Sequence, residues 1–67
     1  MAHGADLWIR LEDGRNVCMH YERAETAWNI RHSMLDQLDR GYPVQCIIGE
    51  ILPESVKAID FVPRDAV

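Results

Sequence analysis

The sequence predicts an α+β domain of element order ββαββ, a four-stranded mixed or antiparallel sheet with one helix packed on one face. Three observations carry that expectation. Two alternating apolar runs, Leu7-Trp8-Ile9-Arg10-Leu11 and Val17-Cys18-Met19-His20-Tyr21, flank the turn residues Glu12-Asp13-Gly14. One stretch only, residues 24–40, repeats apolar side chains at helical spacing. Two further apolar runs, Val44-Gln45-Cys46-Ile47-Ile48 and Val56-Lys57-Ala58-Ile59-Asp60-Phe61-Val62, are bounded by Gly and Pro.

The first hairpin decides which side chains face the core. Asp-Gly between apolar runs is commonly a two-residue loop, but that register sets Leu11 against Asn16, Ile9 against Cys18 and Leu7 against His20, mixing apolar and polar partners on both faces. A three-residue loop, with Glu12-Asp13 in a type I turn and Gly14 left-handed, pairs Leu11 with Arg15, Ile9 with Val17 and Leu7 with Met19. Leu7, Ile9, Leu11, Val17, Met19 and Tyr21 then point inward, and Trp8, Arg10, Asn16, Cys18 and His20 share the opposite face. The parity predicts an outward-facing tryptophan.

In the helix, Ala24, Ala27, Trp28, Ile30, Met34, Leu35 and Leu38 fall in one broad stripe. Thr26 is a candidate cap if the first turn is short, and Glu22 or Glu25 suits the positive end of the dipole. Gly41 is placed to terminate the helix, with Arg40 in the last turn and Pro43 blocking continuation. Arg31 falls inside the apolar stripe; either its stem lies on apolar surface with the guanidinium reaching water, or it pairs with an acidic group. Residues 44–48 read as a third strand, with Cys46 and Ile48 towards the helix and Ile47 away from it, and Gly49 as a bulge position. Pro53-Glu54-Ser55 makes a turn into the fourth strand, which Pro63 closes and whose Ile59 and Phe61 face the helix. Residues 1–5 and 64–67 are expected to be tails around a single domain at 6–63.

A chain of 67 residues holds one domain and buries only about 60% of its unfolded surface, so its core is thin and a partner or ligand is a natural supplement. Seven basic residues are dispersed among eleven acidic ones, giving a net charge of −4. No clustered cationic footprint for phosphates exists, so nucleic acid is not expected as a partner. No run approaches the roughly 18 apolar residues of a membrane span and no leader-like start is visible, which points to a cytoplasmic protein without a membrane partner. Two cysteines, Cys18 and Cys46, are expected as free thiols.

The element order resembles the β-grasp plan, a likeness of topology alone. Sulfur-carrier or conjugation roles within that plan require a terminal Gly-Gly, and the sequence ends Arg64-Asp65-Ala66-Val67, so neither role is expected.

A lone helix covers one face of a sheet and leaves the other solvated or bound. On that other face Trp8 is flanked by Arg10, Cys18 and His20, the residue mix of an interface anchor, unless it packs under the carboxyl-terminal tail or into a second small core. Ile47, pointing away from the helix, would extend the patch. These five residues are the expected binding surface for a protein partner or for a homodimer in a small non-enzymatic, regulatory or interaction module. The competing expectation is a metal- or ligand-responsive domain using Cys18, His20 and Cys46, to which His32 would add a Cys2His2 set. Neither a C-x2-C nor an H-x3-H knuckle exists, so the spacing assigns no metal and no cofactor. Catalysis has no support either: Cys18 and His20 on one strand are too far apart for a direct bond, Ser33 and Ser55 have no oriented base, and no phosphate loop is present.

Overall fold

The computed structural model describes residues 4–64. Among these residues, five strands, one helix and a single 3-10 turn at Pro53–Ser55 follow in the order β1 (Ala5–Leu11), β2 (Asn16–Tyr21), α1 (Ala24–Asp39), β3 (Val44–Cys46), β4 (Gly49–Ile51) and β5 (Val56–Pro63). The strands form two antiparallel sheets, one of order β2-β1-β5 and one of β3-β4.

The first hairpin has the register that the apolar parity demands. Leu7 faces Met19, Trp8 faces Cys18 and Ile9 faces Val17, and the Leu11 amide donates to the Arg15 carbonyl at 2.8 Å across a three-residue loop. Gly14 closes that loop at φ 93, backbone that a β-carbon disfavours. One side of the sheet is thereby almost wholly apolar: Leu7 and Ile9 are fully buried, and Leu11, Val17, Met19 and Ile59 are nearly so.

The four-stranded sheet is corrected to three strands plus a separate hairpin, and ββαββ becomes ββαβββ. The expected strand over 44–48 stops at Cys46, turns through Ile47 and Ile48, and returns as β4 with Val44 opposite Ile51 and Cys46 opposite Gly49. Gly49 sits at φ 110, so both hairpins use two L-residues followed by a positive-φ glycine, which matches the twist of the flanking strands. Val44 and Ile51 are buried, and this cross-strand pair pins the small hairpin to the core beside α1.

Helix α1 starts at Ala24 after Arg23 in extended backbone, with no side-chain cap. Thr26 therefore lies within the first turn rather than capping it, because the earlier start lets Ala24 and Ala27 reach the core. The helix ends before Gly41 as expected, with no basic residue in its last turn. The Gly41 amide donates to the Leu38 carbonyl at 3.0 Å and the Tyr42 amide to the Gln37 carbonyl at 2.8 Å, the paired bonds of a Schellman ending with Gly41 left-handed. Arg40 is the cap residue and pairs with Asp36 at 3.2 Å. The apolar stripe is narrower than its sequence pattern: Ala27 and Met34 are buried and Ala24, Ile30 and Leu38 pack against the core, whereas Trp28 is 51% and Leu35 37% exposed. Both outliers lie one residue past a buried position, about 100° around the helix and beyond the edge of a three-stranded sheet.

Among the described residues Arg31 has no carboxylate partner, and its head is not purely solvated. Its Nε donates to the Ile59 carbonyl at 2.8 Å, and the guanidinium carbon lies 5.5 Å from the Trp28 ring centre. Trp28 in turn meets the Phe61 ring edge-on at 5.2 Å, so Phe61, like buried Ile59, faces the helix.

Candidate functional site

The face of the β2-β1-β5 sheet away from α1 carries the alternate residues of its strands: Asp6, Trp8 and Arg10 from β1, Asn16, Cys18 and His20 from β2, and Ala58, Asp60 and Val62 from β5. Cross-strand rows are fixed by the hairpin register. His20, Asp6 and Val62 form one, Cys18, Trp8 and Asp60 the next, and Asn16, Arg10 and Ala58 the third. Trp8 occupies the centre of this face, half-buried by its neighbours.

Four of the five expected site residues, Trp8, Arg10, Cys18 and His20, are thus brought together. Ile47 is not. It lies in the β3–β4 turn, 75% exposed and outside the three-stranded sheet, because the chain reverses after Cys46 instead of continuing as a strand. Ile47 adds nothing to the Trp8 patch. Cys46 also lies elsewhere: its Sγ contacts the Gly49 carbonyl at 3.4 Å in the small hairpin. Burial first, and then neighbouring Cys46, push the Tyr21 phenol above its ordinary range, which puts Cys46 by an inward-facing tyrosine. The expected Cys18, His20 and Cys46 trio is not assembled, and His32 sits on the helix.

Two residues that sequence reasoning passed over complete the site. Asp6, only 9% exposed, has its Oδ1 2.7 Å from His20 Nδ1 and 2.9 Å from Arg64 Nε. Arg64 also donates from its terminal nitrogen to the Tyr21 carbonyl at 2.5 Å, while its amide donates to the Gly4 carbonyl at 2.9 Å. Arg64 is thereby strapped across the end of the sheet, and Gly4, Ala5 and Arg64, outside 6–63, belong to the described structure. The same parity that exposes Trp8 also places Asp6 opposite His20, two residues along; nothing local announces Arg64. At the other end of the face Arg10 Nε and Asp60 Oδ2 form an ion pair with both side chains 44% exposed, worth little in stability because water screens it.

Cys18 and Cys46 are free thiols. Desolvation, and secondarily the Asp6 carboxylate, push the Cys18 thiol up, with Arg64 pulling the other way. A thiol so shifted is a poor nucleophile near neutral pH. Asp6, Cys18 and His20 each bring a potential metal-ligand atom within 4.8 Å of the other two. Beside the first turn, a pocket of about 170 Å³ lined by Leu11, Glu12, Asp13, Arg15, Glu54 and Ser55 is smaller than the roughly 300 Å³ from which ligand sites begin. In the described residues no helix is long and apolar enough to cross a membrane.

Comparison with protein-family models, curated proteins and solved structures returned no match. The functional reading rests on the geometry of this face.

Proposed function

We propose that the chain is a non-enzymatic interaction module that binds a protein, either a partner or a second copy, through the open face of the β2-β1-β5 sheet. Trp8 is the anchor. Arg10 and His20 supply polar contacts around it, and Cys18 fills the surface beneath. The observation that carries this reading is the position of Trp8: a large aromatic at the middle of the central strand, on the side that no helix covers. A rigid indole in that position contributes contact area at small entropic cost, and arginine and histidine at its rim give direction to the contact. A chain of 67 residues with one thin core also gains from burying a further face.

Molecular mass across a concentration series tests self-association, and capture of a purified candidate partner tests the other arm. Trp8→Ala is expected to retain a cooperative melt, since the Leu7, Ile9 and Met19 side is untouched, while weakening association by about 2 kcal/mol, roughly thirtyfold in Kd. Unchanged association, or loss of the folded state in Trp8→Ala, overturns the reading.

A further inference from the structure

We propose that Asp6, Cys18 and His20 form a three-ligand site for a divalent transition metal of the zinc class, and that Arg64 is the cation the metal displaces. The inference stands apart from the protein-binding reading, since it needs no partner. Its first support is geometric. Cys18 and His20 are alternate residues of β2, so both project on the same side, and Asp6 is the direct cross-strand neighbour of His20. The three ligand atoms lie within 4.8 Å of one another. Ligands about 2.0 to 2.3 Å from a tetrahedral ion stand roughly 3.3 to 3.8 Å apart, so small side-chain rotations on a rigid pair of strands suffice.

The donor set is the second support. Thiolate, imidazole and carboxylate together suit a borderline ion such as zinc or cobalt, and three protein ligands leave a fourth position for water. Binding releases the Cys18 thiol proton to solvent, breaks the 2.7 Å His20 Nδ1–Asp6 Oδ1 hydrogen bond, and uses an imidazole lone pair of His20. Two anionic ligands then balance the two charges of the ion.

Arg64 is the third support. Its guanidinium is 2.9 Å from Asp6 Oδ1 and serves as countercharge to a carboxylate only 9% exposed. A dication on the same carboxylate makes that guanidinium superfluous and repels it. Metal binding therefore frees Arg64 from Asp6 and loosens the strap that it makes to the Tyr21 carbonyl. The site couples metal occupancy to the attachment of Arg64 at the end of β5.

Titration of the reduced 67-residue chain with cobalt(II), followed by visible absorption, tests this. The expected result is saturation at one ion per chain with a thiolate-to-cobalt band, displaced by zinc. Cys18→Ser abolishes the band, and Cys46→Ser leaves it unchanged. His20→Gln and Asp6→Asn each weaken binding by about tenfold or more, since loss of even an outer-shell partner costs about that much. Arg64→Gln tightens binding by roughly tenfold, since one competing charge at close range has been removed. Because Asp6→Asn can disturb the sheet end, the Cys18, His20 and Arg64 variants carry the test independently. Absence of a thiolate band, its survival in Cys18→Ser, or weaker binding in Arg64→Gln overturns the proposal.

Discussion

Gly14 shows how one residue sets the chemistry of a whole face. At φ 93 it lets the turn after Leu11 take three residues, and so puts Leu7, Ile9, Val17 and Met19 on one side and Trp8, Cys18 and His20 on the other. An alanine there meets no neighbouring atom within 4 Å, so its cost is conformational alone. Gly14→Ala is expected to destabilise the fold by about 1 to 2 kcal/mol, measurable as a lower urea midpoint at unchanged m-value. A neutral effect would mean that the loop is not held left-handed. Asp6, His20 and Cys18 inherit their proximity from the same turn. The side of Trp8, Cys18 and His20 was legible in the alternation, because period-two patterning depends only on neighbours along the chain; Asp6 precedes the apolar run and was passed over. Arg64 was not legible: it meets Asp6 from 58 residues away in sequence, and an arginine near a chain end carries no local signature of its partner.

Among the elements, α1 and β5 are joined by Arg31 more specifically than by apolar packing. β5 is an edge strand of its sheet, and the Ile59 carbonyl facing outward from it takes the Arg31 Nε–H, which satisfies an edge acceptor that otherwise invites pairing with another chain. The same guanidinium lies over Trp28, whose ring meets Phe61. Arg31→Ala is expected to cost about 1.5 to 3 kcal/mol through the lost charged hydrogen bond and ring contact, read by chemical denaturation. Arg31→Lys should recover only part, since an ammonium lacks the planar fork. Equal stability of all three proteins would show that the bridge contributes nothing. The misread element was the third strand. Ile47 and Ile48 have strong strand preference and no turn character, so residues 44–48 looked continuous; the cue was Gly49, whose left-handed φ permits the reversal.

For the whole molecule, the two sheets have unequal claims on the core. β1 is hydrogen-bonded on both sides and contributes Ala5, Leu7 and Ile9, all fully buried, whereas the β3–β4 hairpin is held mainly through Val44 and Ile51. Native-state amide exchange is therefore expected to be slowest in β1 and to open β3–β4 at a lower free energy than the three-stranded sheet. Uniform protection across all five strands would show a single cooperative unit instead. Apolar surface divides in the same way: exposed Ile47, Ile48 and Leu52 cluster in sequence around the small hairpin, while exposed Val62 and half-buried Trp8 belong to the open face of the larger sheet.

By itself the amino-acid sequence determined the first hairpin and its register, the helix with its Gly41 ending, and the side of the sheet to which Trp8, Arg10, Cys18 and His20 belong, because each follows from periodicity or from a backbone conformation that one residue type favours. Only the tertiary structure decided that β3 and β4 pair with each other, that Ile47 and Cys46 lie away from the open face, and that Arg64 closes on Asp6 and Arg31 on the β5 edge. Those outcomes depend on contacts between distant segments, whose free energies compete across the whole fold and leave no pattern in any one stretch of chain.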